Sequence, residues 1–274
     1  MTQALTETYA PALRDAIESL EIALPAPGDR LEQDEEWVVV HTKGTWKKVG
    51  LHDYADVFQV QGLYEKWVYD IFGGRSPHKV ARHLMSALRK ASVKPEALTV
   101  LDLGAGNGYV ADVLSQHGVE RFVGADIYPE AATAADRDRP GLYEDFVVGD
   151  ITRLEPEQQS TLESHDFNCL TCVAALGFGD IPPEVFVEAY NHVADGGWVA
   201  FTIKTDFTSE KDKSGFSRLI RRMVRKGLMS VEVREPFTHR KSTDGEDLVY
   251  EAFIGRKQGS VPSEWLPERE ESWS

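Results

Sequence analysis

The apolar positions of the chain change their period in a regular order. Tyr9, Leu13, Ile17 and Leu20 recur near a 3.6 spacing, which predicts a helix over residues 5–22. The acidic, proline-containing stretch APAPGDRLEQDEE then reads as a loop, Trp37–His41 as a strand and Thr42-Lys43-Gly44-Thr45 as a turn. SPHKVARHLMSALRKA predicts a helix with Ser76 as N-cap, Pro77 in the first turn and Val80, Leu84, Leu88 and Ala91 on one face. Beyond it the periods alternate: strand 98–103, helix 107–117, strand 121–126, helix 129–137, strands 145–149 and 166–173, helix 182–193, strand 197–204, helix 215–227, strands 228–235 and 247–256. Such alternation predicts an α/β fold, a mostly parallel sheet with helices on both faces. Only a polar turn, Thr238 to Asp247, separates the last two strands, so they are expected to pair antiparallel.

Length and composition place limits on this picture. The chain of 274 residues fits one large domain with an appendage. Residues 1–50 are expected to be an N-terminal extension, 51–258 the main domain with lid-like helices over 51–92 and a core over 93–258, and 259–274 an acidic tail. No apolar run approaches a membrane span, and the first residues lack a basic start followed by an apolar core, so a cytoplasmic protein without membrane contact is expected. The formal net charge of −15 argues against holding a nucleic-acid backbone as the main task. Cys169 and Cys172 have a C-x-x-C spacing inside FNCLTCVAAL, a buried-strand pattern that sends side chains three apart to opposite faces. They are therefore expected to be buried, reduced thiols, and no metal site is expected.

The candidate chemistry begins at LDLGAGNGYV, residues 101–110, where a strand meets three glycines and then a helix. The dinucleotide fingerprint G-x-G-x-x-G would need its third glycine at Tyr109, and a phosphate loop would need Gly-Lys-Ser/Thr. Both requirements fail. Asp102, just ahead of the turn, would repel a pyrophosphate and attract an ammonium or sulfonium, and S-adenosylmethionine carries both cations. Asp126 ends the next strand at a spacing suited to ribose hydroxyls. Asp150 ends the third, where a carboxylate accepts from an adenine amino group and Ile151 packs on the ring. Three acids at three successive strand ends favour an adenosyl ligand.

These motifs resemble those of class I S-adenosylmethionine-dependent methyltransferases. VLDLGAGNG is similar to their first motif, GADIYPEA to the segment with the ribose-binding acid, VVGDI to the adenine-binding strand end, and AYNHVADGGWVAFTIK to the late helix, turn and fifth strand. The resemblance covers about residues 77–257. It implies a Rossmann-like seven-stranded sheet of order 3-2-1-4-5-7-6 with the last strand antiparallel, and S-adenosylmethionine as cofactor. It also implies cofactor contacts at Tyr64, Asp102, Gly104, Ala105, Gly106, Gly108, Asp126, Ile127, Asp150, Ile151 and Val173, Tyr64 being the expected aromatic lid contact. CLTCVAALGFGDIPPEVFVEAY and HRKSTDGEDLVYEAFIGRK further resemble small methyltransferases of the Williams–Beuren-region type and their bacterial relatives.

Methyl transfer from a sulfonium asks mainly for positioning, so no catalytic base is assigned. A small-molecule acceptor is expected, in a mouth formed by Ala174 to Asp180, the N-terminal helices and the turn near 236–247. Phe178, Lys204, His239 and Arg240 are the candidate acceptor residues. Pro182 and Pro183 are read as opening a helix. The helix FSRLIRRMVRKG carries Arg218, Arg221, Arg222, Arg225 and Lys226, read as a solvated face, with Phe216, Leu219, Ile220, Met223 and Val224 on its buried side. The alternatives to a small-molecule enzyme are an RNA- or protein-directed methyltransferase and a non-catalytic cofactor-binding protein.

Overall fold

The computed structural model describes residues 9–25 and 31–266. The first part of the predicted N-terminal helix, some of the following loop and residues 267–274 of the acidic tail lie outside that range. Seven strands form the main sheet: β4 Thr99–Leu103, β5 Arg121–Asp126, β6 Asp145–Val148, β7 Cys169–Leu176, β8 Trp198–Lys204, β9 Met229–Lys241 and β10 Asp247–Lys257. Their order is β6-β5-β4-β7-β8-β10-β9, which in core numbering is 3-2-1-4-5-7-6. Neighbours from β6 to β8 are parallel, and β10 runs antiparallel to both β8 and β9.

Period-two alternation sets the two faces of this sheet. Val100, Phe122, Cys169 and Ala200 enter one apolar cluster, while their neighbours Leu101, Val123, Leu170 and Phe201 enter the other. Both faces are covered, which is why these strands read as unbroken apolar runs. The two cysteines separate in the same way, Cys169 in one cluster and Cys172 in the other. Against the second face pack α6 Pro156–Glu163, α7 Pro183–His192 and α8 Phe216–Arg225. Val224 of α8, expected on the buried side, is exposed.

The N-terminal residues share the first cluster. They form α1 Pro11–Ser19 and a small antiparallel sheet of β1 Glu21–Ala23, β2 Trp37–Thr42 and β3 Thr45–Gly50. Tyr9, Leu13, Ile17, Val38, Val40 and Val49 are buried with Val80 and Leu84 of α3 Ser76–Lys90. Between them lie α2 Tyr54–Gln59 and a π-helical segment Glu65–Ile71. Ala91, expected on the apolar face of α3, is exposed, and Ala87 takes its place. Ser76 is the first helical residue rather than the cap, and its hydroxyl shares a 2.6 Å hydrogen bond with His239 Nδ1. The remaining helices are α4 Tyr109–Ser115 and α5 Pro129–Asp138.

From β4 the chain adds β5 and then β6 on one side, and from β6 it crosses back to place β7 on the other side of β4. A crevice opens at the carboxyl ends of the strands at such a switch point.

Candidate cofactor and acceptor site

A cleft of about 1170 Å³, its open mouth included, lies at that switch point. The loop after β4 forms its floor. Gly104 and Gly106 have φ of +67° and +53°, a region that side chains resist. A Cβ on Gly104 would lie 2.8 Å from Ile181 Cδ1 and 2.9 Å from Ala175 Cβ. On Gly106 it would lie 3.0 Å from Phe58 Cζ. The two glycines thus let lining groups meet closely over exposed backbone.

Asp126 holds this loop and faces the cleft. It accepts from Gly106 N–H at 2.9 Å and Tyr128 N–H at 3.0 Å. Burial raises its pKa, and the backbone donors oppose that shift. Asp150 turns on itself, accepting from the N–H and hydroxyl of Thr152 at 3.0 and 2.7 Å. Ile127 is an exposed apolar side chain at the cleft, at 57% of its full accessibility, and Ile151 lines it from a buried position. An exposed isoleucine beside a lined cleft suits an apolar ring laid over it.

Of the residues the motifs mark, Tyr64, Gly104, Ala105, Gly106, Asp126, Ile127, Asp150, Ile151 and Val173 line the cleft together. Asp102 and Gly108 do not. Asp102 is 1% exposed and lies beneath the loop, where Tyr143 Oη donates to it at 2.8 Å and Thr171 Oγ1 at 2.6 Å. Its place on a strand covered on both faces, between side chains from two other segments, leaves it out of the cleft lining. Gly108, with φ of +86°, precedes α4 and packs against Tyr143, Arg139 and Leu142.

Burial raises the Asp102 pKa to about 6, against the hydrogen bonds from Thr171 and Tyr143. In the unfolded chain this carboxyl titrates near ~3.9. The folded state therefore binds the proton more tightly, and stability falls as pH rises between those values, by up to about 3 kcal/mol. Urea unfolding of wild type and Asp102→Asn checks this. The stability of wild type relative to the variant is expected to drop by roughly that amount from about pH 4 to about pH 7.

Beneath the loop a buried network fixes Asn107. Glu65 Oε1 accepts from Asn107 Nδ2 at 2.6 Å and from Arg139 Nη2 at 2.8 Å. Arg139 also donates to the Asn107 carbonyl at 2.9 Å and to Asp112 at 3.2 Å. Sequence reading missed Glu65, Arg139, Asn107 and Tyr109, whereas Tyr54, Phe58 and Tyr69 of the lining lie in the aromatic segment that supplied Tyr64, and Asp180 ends the expected mouth. The aromatic density of residues 54–72 was the visible signal for several of these.

A smaller cavity of about 390 Å³ adjoins the cleft. Tyr54, Tyr64, Ala174, Ala175 and Asp180 line both. Two non-glycine residues at positive φ, Ala174 at +58° and Phe178 at +54°, bracket the end of β7 here. Such strain clusters at functional sites. Among the four candidate acceptor residues, Phe178, His239 and Arg240 line this cavity and Lys204 lines neither. Lys204 pairs with Asp206 at 3.1 Å and stands 5.1 Å over the Phe178 ring. His239 and Arg240 are not turn residues: β9 runs through Lys241, and both are buried. Burial, and next the neighbouring Arg240 charge, lower the His239 pKa to about 3, so it is neutral at physiological pH and a weak base, and its Nδ1 is engaged by Ser76. Arg240 is committed to a buried ion pair with Glu36, whose other oxygen accepts from Thr243 N–H at 2.6 Å. Arg240 therefore has no spare charge for an acidic substrate.

A family described as "Methyltransferase domain" matches residues 75–249. The chain belongs to this family. It is a class I S-adenosylmethionine-dependent methyltransferase. A ribosomal protein L11 methyltransferase of Lactobacillus johnsonii is 29% identical over 150 residues, covering 55% of this chain and 44% of that protein. One of Lactobacillus gasseri is 29% identical over 129 residues, covering 47% and 38%. The matches thus span less than half of these curated relatives. A methyltransferase of Clostridium acetobutylicum described as S-adenosylmethionine-dependent shares the fold at a TM-score of 0.50 and 12% identity, over 72% of this chain and 97% of that one. These relatives overturn the expectation of a small-molecule acceptor, because the curated ones are named for a protein acceptor. No helix among the described residues is long and apolar enough to cross a membrane.

The cleft residues fit the cofactor. Bare backbone at Gly104 and Gly106, an acid at each of two strand ends and an exposed isoleucine together match a ligand with an amino-acid end, a ribose and an apolar ring.

Proposed function

We propose that this methyltransferase modifies a protein side chain and holds its cofactor in the cleft above the glycine loop. The observation that carries the acceptor class is the 29% identity over 150 residues to relatives named ribosomal protein L11 methyltransferase. When bound, the cofactor supplies an electrophilic methyl group on a sulfonium.

The chain's own residues do the placing. The Gly104–Gly106 backbone receives the amino-acid end, Asp126 accepts from the ribose hydroxyls, and Asp150 accepts from the adenine amino group. Ile127 and Ile151 cover the adenine ring. Val173 lines the cleft and Tyr64 the way toward the smaller cavity, with Tyr64 kept as a hydroxyl because burial pushes its pKa up to about 12. Asp102 supports the loop through Tyr143 and Thr171 rather than by touching the ligand.

Fractionation of the transferred label tests the acceptor class. The chain is incubated with tritium-labelled S-adenosylmethionine and, separately, purified ribosomal protein L11, ribosomal RNA and a small-metabolite extract. Label is expected on the protein, at a side chain located by peptide mass spectrometry. Label confined to RNA or to the metabolite pool would overturn the protein reading.

A further inference from the structure

Tyr54, Tyr64, Ala174, Ala175 and Asp180 form the passage from the cofactor cleft to the smaller cavity. Asp180 occupies it with two partners from the N-terminal segment. His52 Nδ1 lies 3.2 and 3.0 Å from its two carboxylate oxygens, and Tyr54 Oη donates to it at 3.3 Å. Both partners precede the region that matches the methyltransferase family, which begins at residue 75. We propose that His52 and Asp180 form the proton-accepting pair of this enzyme, set against the transferred methyl at the junction of the two cavities.

Hydrogen-bond chemistry assigns the roles. A carboxylate only accepts, so the His52 nitrogen facing Asp180 carries the proton and Nε2 carries the lone pair. The His52 ring is held edge-on to Phe178, with centroids 5.6 Å apart, and tilted against Tyr54, also at 5.6 Å. Phe178 adopts positive φ and packs edge-on against Phe207, so the face presented to His52 is fixed. As the bond between acceptor atom and methyl carbon forms, the carbon–sulfur bond breaks and its electron pair leaves on sulfur. The acceptor's proton passes to His52 Nε2, and Asp180 balances the imidazolium charge.

The other titratable groups around the smaller cavity suit this task less well. Tyr54 is held as a hydroxyl, its pKa pushed far up by burial and by Asp180. Tyr64 and Tyr250 are each pushed up to about 12 by burial. His239 is tied to Ser76, and Arg240 to Glu36. Asp180 and His52 are left to receive a proton.

The inference rests on the methyltransferase reading and can be tested without any acceptor. Sinefungin is a cofactor analogue whose amine replaces the sulfonium methyl. Calorimetric titration compares it with S-adenosylhomocysteine on wild type, Asp180→Asn and His52→Gln. A charged hydrogen bond at the methyl position is worth about tenfold or more, so wild type is expected to prefer sinefungin by about that factor. The preference is expected to vanish in His52→Gln, which removes the accepting Nε2, and to fall about threefold in Asp180→Asn, while S-adenosylhomocysteine affinity in His52→Gln stays within about twofold of wild type. No preference in wild type, or a preference unchanged in His52→Gln, would overturn the proposal. Because no acceptor is present, these outcomes are independent of whether the acceptor is a protein.

Discussion

Glu65→Ala is expected to destabilise the protein by about 3–5 kcal/mol, measured by urea unfolding. The carboxylate is fully buried and answers two donors with one oxygen, Arg139 from the segment after α5 and Asn107 from the glycine loop. Arg139 is itself only 7% exposed. Truncation leaves its guanidinium with Asp112 at 3.2 Å and the Asn107 carbonyl, so the cost should fall toward the lower end of that range. Asn107 also loses its anchor while lining the cofactor cleft, so affinity for S-adenosylhomocysteine is expected to fall along with stability. Glu65→Gln keeps the accepting oxygen and removes only the charge. It is expected to lose less than half as much. Equal losses in the two variants would show that charge, rather than the hydrogen-bonded geometry, holds this network.

Gly104→Ala is expected to cost about 3 kcal/mol and at least about tenfold in cofactor affinity, from two sources. An alanine at φ of +67° takes on about 1–2 kcal/mol of backbone strain. Its Cβ also falls 2.8 Å from Ile181 Cδ1 and 2.9 Å from Ala175 Cβ, and overpacking of this kind costs about 1–3 kcal/mol. Ile181 and Ala175 both line the cleft, so any shift that relieves the contact changes the space the ligand needs. Urea unfolding and calorimetry on the same preparation separate the two losses. Unaltered binding in a destabilised variant would place the ligand away from this loop.

The sheet was legible because its strands and helices carry distinct periods and because the ends of β4, β5, β6 and β7 are marked by a glycine or an acid. Asp126 and Asp150 could be read for the same reason: the apolar runs FVGA and FVVG stop at them. Asp102 shows where that reasoning fails. Its position before the turn resembles a ligand contact, but its side chain is claimed by Thr171, 69 residues away, and Tyr143, 41 away. His239 and Arg240 sit in a polar run that reads as a turn, and partners brought from far along the chain, Ser76 and Glu36, accompany their burial in the strand. The His52–Asp180 pair spans 128 residues and has no local signature. Side chains whose partners come from distant segments are the ones the sequence alone leaves hidden.

The most direct measurement is calorimetric titration of S-adenosylhomocysteine into wild type and Asp126→Ala side by side, with NADH as comparison. Asp126 holds the loop through Gly106 and faces the cleft, so its loss removes both a ligand acceptor and a loop anchor. The account predicts micromolar binding to wild type, about 10–100-fold weaker binding to the variant, and none of NADH. Equal affinity in the two proteins, or binding of NADH in place of the adenosyl ligand, would contradict it.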